Sequence, residues 1–248
     1  MKLSVVVLTQ NSQDTLEACL ESVKEAAEII VVDGGSTDKT VSIAKKFTDK
    51  IFIHQLTSFA DQRNWGAKKA SGDWLLFLDS DEKIIPDSFA EIQKVMRQDS
   101  VSAWGFKRKN IFFGHWLKHG GYWPDYQNPR LIRVSDFKGV KGTVHEQYLF
   151  TGNLGTMVYP LEHFPPRTIS ANLIKSAAWT KMEAEALFKA GHPSITVLRL
   201  IKVMVWEFCY RYFKKLGFLD GYMGFVESAY QAMNKFFVYE QVWELQQK

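Results

Sequence analysis

Two carboxylates separated by one residue stand at the end of a long apolar run, Trp74-Leu75-Leu76-Phe77-Leu78-Asp79-Ser80-Asp81-Glu82. Such a run predicts a buried β-strand, and the ligand sites of α/β folds lie at the carboxyl ends of their strands. Carboxylate oxygens suit Mg²⁺ or Mn²⁺, which usually keep waters and bind substrate phosphates. The pattern predicts a divalent cation at Asp79 and Asp81 and a phosphorylated substrate. The alternative is an acidic turn that caps the helix beginning near Pro86.

The first 100 residues alternate apolar runs with amphipathic segments, as a parallel sheet covered on both faces requires. Gly34 and Gly35 permit a tight turn after the second strand, and Ser36, Thr37 or Asp38 can cap the helix that follows. The sequence therefore predicts an α/β fold. The predicted strands cover 3–11, 28–32, 51–53 and 74–78, and the predicted helices cover 14–27, 37–47, 59–70 and 88–97.

The chain changes character after residue 100 and again after residue 165. Between these points short apolar runs, with clear strands at 103–106 and 131–134, are broken by Gly, Pro and Asn, and loops of this kind commonly line a cleft. After residue 165 the pattern becomes helical, with an interruption at Gly191-His192-Pro193. We predict one α/β domain over 1–165, in halves 1–100 and 101–165, and a helical region over 166–248.

The bulk composition excludes some classes of protein. At 248 residues with a formal charge of +4, the chain can bury one sizeable core but carries no dense basic stripe, so nucleic acid is not an expected partner. Cys19 and Cys209 lie far apart without metal-ligand neighbours, which argues against a disulfide framework or a zinc site. No secretory signal is visible at the amino terminus. We therefore expect a reduced, cytoplasmic compartment.

Four polar motifs follow one another in the first half: Thr9-Gln10-Asn11, Asp33-Gly34-Gly35-Ser36-Thr37-Asp38, Arg63-Asn64-Trp65-Gly66 and Leu78-Asp79-Ser80-Asp81. Their order and register resemble the family 2 glycosyltransferases with the GT-A fold. The later segments Gly142-Thr143-Val144-His145-Glu146 and Gly217-Phe218-Leu219-Asp220-Gly221-Tyr222-Met223-Gly224-Phe225 look like the branch that adds sugars to the inner core of lipopolysaccharide. The resemblance implies a GT-A nucleotide-sugar-binding fold with a mostly parallel central sheet and a C-terminal helical appendage.

The same resemblance assigns nucleotide contacts. Thr9 and Asn11 should line the nucleotide pocket, and Asp33 should contact the uracil or the ribose. Ser36 and Asp38 either join that pocket or only form the turn. Many relatives carry Asp-Asp-Gly-Ser where this chain has Asp33-Gly34-Gly35-Ser36, so a contact of the second carboxylate is lost or supplied elsewhere.

Phosphate contacts follow from two arginines. Arg63 should reach the diphosphate from a helix, braced by Asp61 or Asn64; alternatively it forms a surface salt bridge with Asp61 or Asp73. Arg130 could bind the diphosphate or an anionic acceptor. Its segment is similar to the Gln-x-x-Arg-Trp element of processive synthases, but leucine replaces the tryptophan and spanning helices are missing, so polymerisation is not expected.

The metal ligands and the general base complete the expected site. Asp81 is the preferred direct ligand of Mg²⁺ or Mn²⁺, Asp79 contacts the metal or the ribose, and His145 or His163 could complete the shell. A direct displacement needs one base for the acceptor hydroxyl. The candidates for that base are Glu146, first, and Asp125, second.

The segment Ile195–Phe213 is apolar and aromatic but interrupted by charges, so its apolar runs stay below the roughly 18 residues of a spanning helix. Basic residues on one side, followed by Lys214-Lys215, match a helix that lies along a membrane surface. A helix packed against the catalytic domain is the alternative. The first interpretation predicts peripheral association with the inner face of the bacterial inner membrane.

These observations predict an inverting, metal-dependent glycosyltransferase that moves a hexose, by default glucose, from a UDP-sugar to a lipid-linked or lipopolysaccharide core saccharide. No convincing Ser-His-Asp or Cys-His set is present, which agrees with direct displacement. The alternatives are a nucleotidyltransferase or sugar pyrophosphorylase, whose Gly-rich basic loop is missing here, and a non-catalytic, membrane-associated sugar-binding protein.

Overall fold

A computed structural model describes residues 1–142, 146–165 and 169–248. The chain divides into two compact units: residues 1–109 and 125–164 form the first, and residues 110–124 and 165–248 form the second. The sequence predicted a division after residue 165. It did not predict that residues 110–124 belong to the same unit as the later helices.

The strands and helices are numbered in chain order. The strands are β1 (Leu3–Thr9), β2 (Glu28–Asp33), β3 (Ile51–Ile53), β4 (Trp74–Asp79), β5 (Glu82–Ile84), β6 (Ala103–Phe112), β7 (His115–Trp116), β8 (Asp125–Arg133), β9 (Phe137–Lys141), β10 (Gln147–Phe150), β11 (Leu154–Thr156) and β12 (Leu161–His163). The helices are α1 (Leu16–Glu21), α2 (Thr40–Ala44), α3 (Phe59–Ala67), α4 (Pro86–Val95), α5 (Ile169–Lys189), α6 (Val197–Cys209) and α7 (Gly221–Gln246).

The main sheet of the first unit has the order β3-β2-β1-β4-β8-β6-β12-β5. Its first four strands are parallel, whereas β8 runs antiparallel to both β4 and β6. In register, Thr9 pairs with Asp33 and Leu8 pairs with Asp79. The polar ends of three strands therefore meet at one edge, and the predicted α/β fold with a mostly parallel sheet is confirmed.

Apolar clusters cover both faces of this sheet. Strand β1 is buried along its whole length, with Val5 and Val7 in one cluster and Val6 and Leu8 in the other. Parallel strands buried on both faces read as continuous apolar runs instead of alternating ones. This packing holds the carboxyl edge of the sheet rigid.

Helix α1 is shorter than the predicted 14–27. Ser22 lies at its end, where its hydroxyl donates to the Cys19 carbonyl at 2.6 Å and accepts from the Ile84 amide at 3.1 Å. A serine that bonds the preceding turn competes with helix propagation. Strand β8, in contrast, begins well before the predicted 131, because its first residues pair with β6.

The second unit is mainly helical. Helices α5 and α7 share a small apolar core at Ala184, Val238 and Val242. A π-helical turn, Tyr210–Lys214, follows α6, and a 3₁₀ turn, Gly217–Asp220, precedes α7. None of the helices in the described part of the chain combines the length and the apolar character that crossing a bilayer requires.

Candidate functional site

The acidic pair occupies a tight turn between two strands. Strand β4 ends at Asp79, Ser80 and Asp81 form the turn, and Glu82 begins β5. The Asp79 amide donates to the Glu82 carboxylate at 3.1 Å, and Glu82 is completely buried. The turn therefore has a fixed conformation, which presents the side chains of Asp79 and Asp81 at the carboxyl edge of the sheet.

Helix α3 places Arg63 beneath Asp79. The Ser58 side chain caps the helix by accepting from the Asp61 amide at 3.1 Å. Gly66 lies so close to Val6 that an added Cβ would stand 2.5 Å from it. The missing side chain lets the helix approach β1, and Arg63, one turn earlier, donates to Asp79 at 2.7 Å.

The predicted braces of Arg63 are wrong. Asp61 pairs with His54 at 2.7 Å, and Asn64 exchanges hydrogen bonds with the backbone of Val140, both at 2.7 Å. The alternative surface salt bridge is also wrong, because Arg63 is only 3 % exposed and Asp73 accepts from the Lys2 amide. The polar neighbours of Arg63 are instead Asp79 and Glu146.

A β-bulge turns Arg130 toward the same carboxylate. Trp104 of β6 pairs with Leu131 and Gly105 pairs with Pro129, so the residue between them is left out of the ladder. Bulges bend a strand and redirect a side chain. Arg130 donates to Asp79 at 3.1 Å and to Glu82 at 3.3 Å.

The arginines set the charge of this cluster. Burial works against ionisation of Asp79, but Arg63 and Arg130 hold the pKa of that carboxyl well below its usual range. Burial also disfavours the charged form of Arg130, yet Glu82 and Asp79 raise the pKa of its guanidinium well above its usual value. Asp79, Arg63 and Arg130 are therefore firmly ionised. Glu82 differs from them, because burial raises the pKa of its carboxyl although Arg130 opposes the shift.

Several buried donors of the cluster lack a hydrogen-bond acceptor within the described ranges 1–142, 146–165 and 169–248. They are Nε and Nη1 of Arg63, the same atoms of Arg130, and the hydroxyls of Thr9 and Tyr148. A buried polar group without a partner is costly and calls for an explanation, such as a bound ion or ligand. The arrangement suits an anion that accepts hydrogen bonds from arginine, such as a phosphate.

The predicted nucleotide residues lie next to this cluster, at the ends of β1 and β2. Asp33 is almost fully buried and accepts from the amides of Gly35 and Ser36 and from the Ser36 hydroxyl. Asn11, at φ +48°, accepts from the Thr37 amide at 2.9 Å. Asp38 accepts from the Thr40 and Gln13 amides. The side chains of Asp33, Asn11 and Asp38 therefore stabilise the turn after β2. The Thr9 hydroxyl, in contrast, has no hydrogen-bond partner among the described residues.

The predicted metal ligands Asp81 and His163 come together, with 3.6 Å between Oδ2 and Nε2. His145 lies outside the described residues. Within them, no group of at least three His, Cys, Asp or Glu side chains converges on one point. This donor set fits Mg²⁺ or Mn²⁺, which bind through one or two protein ligands and complete their shell with substrate phosphates and water.

The two candidate bases have different surroundings. Glu146 lies 3.5 Å from Nε of Arg63, beside the buried cluster. Asp125 begins β8 and pairs with Arg108 at 2.9 Å. The structure thus brings Glu146 next to Arg63 of the buried cluster, whereas Asp125 is paired with Arg108 on β6.

Sequence reasoning missed two residues of this cluster. The sequence patterns assign no role to Glu82, although it belongs to the acidic motif, and none to Tyr148. A charged residue at a strand position, two residues before Ile84 of β5, is the signal that could have identified Glu82. Tyr148 shows no such signal, because its burial beside Phe77 resembles that of any core aromatic.

The chain is similar in sequence to known glycosyltransferases. The model of "Glycosyl transferase family 2" matches residues 4–151. An uncharacterized glycosyltransferase of Rickettsia bellii is 27% identical over 95% of this chain and 84% of the relative. The lipopolysaccharide core biosynthesis glycosyltransferase LpsC of Rhizobium meliloti is 24% identical over 98% of this chain and 93% of the relative.

Among solved structures, S. aureus TarS 1-349 in complex with UDP superposes with a TM-score of 0.50 at 16% identity, covering 100% of this chain and 91% of TarS 1-349. At this identity the similarity concerns the fold, and it agrees with the predicted GT-A architecture. The family model covers more than half of the chain and includes all four polar motifs. The chain is thus a glycosyltransferase and belongs to glycosyl transferase family 2.

Proposed function

We propose that the protein is an inverting, metal-dependent hexosyltransferase that uses a UDP-sugar and acts on a lipid-linked or lipopolysaccharide core saccharide. The observation that carries the proposal is the pair of buried arginines whose Nε and Nη1 atoms form no hydrogen bond among the described residues. Two fixed guanidinium groups at the carboxyl edge of the sheet are suited to a diphosphate. The acceptor class draws support from LpsC, which is named for lipopolysaccharide core biosynthesis.

Arg63 and Arg130 would serve the departing diphosphate together. Each donates one hydrogen bond to Asp79, so the carboxylate orients both guanidinium groups without occupying their remaining donors. Those donors would stabilise the negative charge that develops on the departing diphosphate. A divalent cation held by Asp81 and His163, with Asp79 next to it, would act as a Lewis acid on the same phosphate oxygens.

Glu146 is the proposed base. As the acceptor oxygen attacks the anomeric carbon, the bond from that carbon to the diphosphate breaks, and the diphosphate leaves with the electron pair. The hydroxyl proton passes to the Glu146 carboxylate. Nε of Arg63 lies 3.5 Å from that carboxylate and would orient it toward the acceptor hydroxyl. Thr9 would contact the nucleotide through its free hydroxyl, as would the turn held by Asp33.

Association with a membrane surface is the last part of the proposal. Helix α6 exposes large apolar side chains: Val197 at 73%, Leu198 at 80%, Ile201 at 53%, Val205 at 57% and Trp206 at 61% exposure. Such a face is typical of a helix that lies in the headgroup region of a bilayer. It supports a peripheral position on the inner face of the inner membrane, next to a lipid-linked acceptor.

The test is donor hydrolysis by the purified protein with a panel of UDP-sugars, with Mn²⁺ and with excess chelator. We expect Mn²⁺-dependent release of UDP from one sugar, and its loss in Asp81→Ala. The control is Asp49→Ala, which removes an exposed aspartate beside the opposite edge of the sheet. Undiminished UDP release in chelator, with Asp81→Ala fully active, would refute the metal-dependent mechanism.

A further inference from the structure

The second unit contains a basic cavity of about 370 Å³ that has no part in the proposed transfer reaction. Its lining includes Lys118, His119 and Trp123 from the segment 110–124, and Lys214, Lys215 and Leu216 from the end of the π-helical turn. We name this cavity the lysine pocket. Since all of its lining residues belong to one compact unit, its geometry is set within that unit.

Hydrogen bonds between the two walls hold the lysine pocket together. The Asp220 carboxylate, 8% exposed, accepts from the amides of Lys118 at 3.0 Å and His119 at 2.7 Å, and pairs with His119 Nδ1 at 2.9 Å. The Gly120 amide donates to the Lys215 carbonyl at 2.8 Å. The Asp220 carboxylate is therefore engaged by the loop, and the pocket is preformed.

The lysines of this pocket keep their charge uncompensated. In the part of the chain that the structure describes, the ammonium groups of Lys118, Lys214 and Lys215 lie over aromatic rings and form no ion pair. The distances to the ring centroids are 4.6 Å to Trp116 for Lys118, and 5.7 and 5.5 Å to Tyr210 for the other two. Lys235 of the same unit, in contrast, is paired with Glu183 at 2.7 Å. An aromatic ring positions an ammonium group without neutralising it.

The three lysines would attract an anion, and the surroundings of the pocket favour one source for it. Leu216, at φ +58°, is held in a conformation that is uncommon for any residue with a side chain, and it remains 45% exposed. Phe213, Phe218 and Leu219, which precede and follow it, are 57%, 43% and 56% exposed. A small soluble phosphate would leave these apolar groups in water, whereas a phospholipid covers them with its acyl chains while its phosphate reaches the lysines.

We infer that the lysine pocket is a binding site for the phosphate of an anionic phospholipid headgroup. This inference rests on the proposed membrane association and deepens it: α6 supplies general affinity for a bilayer, and the pocket selects the charge of the lipid. Each lysine near an anionic surface contributes about a fivefold gain in binding.

The experiment is cosedimentation of the full chain with vesicles of phosphatidylcholine alone and of phosphatidylcholine mixed with phosphatidylglycerol. The test variant is Lys214→Gln/Lys215→Gln. Its matched control, Lys181→Gln/Lys189→Gln, removes the same charge from exposed positions on α5 of the same unit. We expect the test variant to bind mixed vesicles about 30-fold more weakly than the wild type and neutral vesicles equally well, with the control unchanged.

Four results would overturn the inference. Equal binding of the wild type to both vesicle types would leave membrane association intact but remove the pocket's role, while no binding to either would remove both. An equal loss in the control variant would show diffuse charge instead of a pocket. If the test variant lost turnover on a phosphorylated acceptor in detergent but kept its vesicle binding, the lysines would serve the acceptor's phosphate instead.

Discussion

The parallel strands of the first unit carry charged side chains at both of their edges. At the amino edge, Glu28 accepts from the Ser4 hydroxyl, from Lys50, and from the amide and hydroxyl of Ser71. At the carboxyl edge, Arg63 and Arg130 share Asp79 and retain buried donors without an acceptor among the described residues. Glu28 is largely buried, as the two arginines are, but its partners Lys50 and Ser71 lie at the surface. Among the described residues, only the amino-edge cluster is satisfied by its own neighbours.

This difference separates stabilising charge from charge held ready for a ligand. A saturated cluster lowers the energy of the folded chain, whereas unsatisfied buried donors raise it until a ligand binds. Cavity volume alone would place the ligand site at the wrong edge, since a cavity of about 440 Å³ lies beside Glu28 at the amino edge. There Lys24 and Lys50 are already paired with Glu21 and Glu28, so little charge remains for a ligand.

Replacing Arg130 should give the largest effect. Arg130→Gln removes a donor to the departing diphosphate, and we expect turnover to fall by about 100- to 1,000-fold. It also leaves Glu82 without its buried counter-charge and Asp79 with Arg63 alone, so the free energy of unfolding should drop by about 3–5 kcal/mol. UDP release and urea unfolding measure the two effects.

The matched control is Arg133→Gln on the same strand. Arg133 donates to the Gln98 carbonyl and stacks on Trp74 at the start of β4, away from the carboxyl edge. This variant should keep normal turnover. Equal loss of turnover in both variants would erase the distinction between the two edges.

At the amino edge we expect a pure loss of stability. Burial disfavours the charged form of Glu28, but Lys50, Ser4 and Ser71 lower the pKa of its carboxyl to about 2. Glu28→Gln should therefore cost about 2–3 kcal/mol in the free energy of unfolding. The donor KM should not change. The control is Glu25→Gln at a nearby exposed position, for which we expect a change within about 0.5 kcal/mol. A large rise in KM for Glu28→Gln would mean that the amino edge also binds the donor.

The same carboxylate predicts a pH dependence. Because the pKa of Glu28 is lower in the folded chain, its contribution is fully present above about pH 4.5 and is lost as the pH falls toward about 2. The difference in unfolding free energy between the wild type and Glu28→Gln should shrink over that interval. Urea unfolding at several acidic pH values measures it, and a constant difference would contradict the assignment of Glu28 as the ionised acceptor.

The contrast between the edges also explains what the sequence could reveal. The parallel strands and the residues at their ends were predictable, because apolar runs and short polar motifs are local patterns. Arg130 was singled out from its motif, but its contact with Asp79 depends on a bulge opposite Gly105, which is a pairing between distant strands. The braces predicted for Arg63 were neighbours on its own helix, whereas its observed partners come from β4 and from the residue before β10. Local spacing cannot specify such contacts.

Thr9 offers the smallest but most discriminating test. Its hydroxyl is buried at the end of β1 and has no partner among the described residues, so it costs stability in the free chain. Thr9→Val keeps the shape and suits a strand, and we expect it to raise the free energy of unfolding by about 1 kcal/mol. Loss of one hydrogen bond to the nucleotide should raise the donor KM by about fivefold. Opposite signs for stability and binding are typical of a group kept for a ligand. A variant that is less stable with unchanged KM would place Thr9 with the satisfied residues of the amino edge, and thermal unfolding with and without UDP-sugar decides between the two.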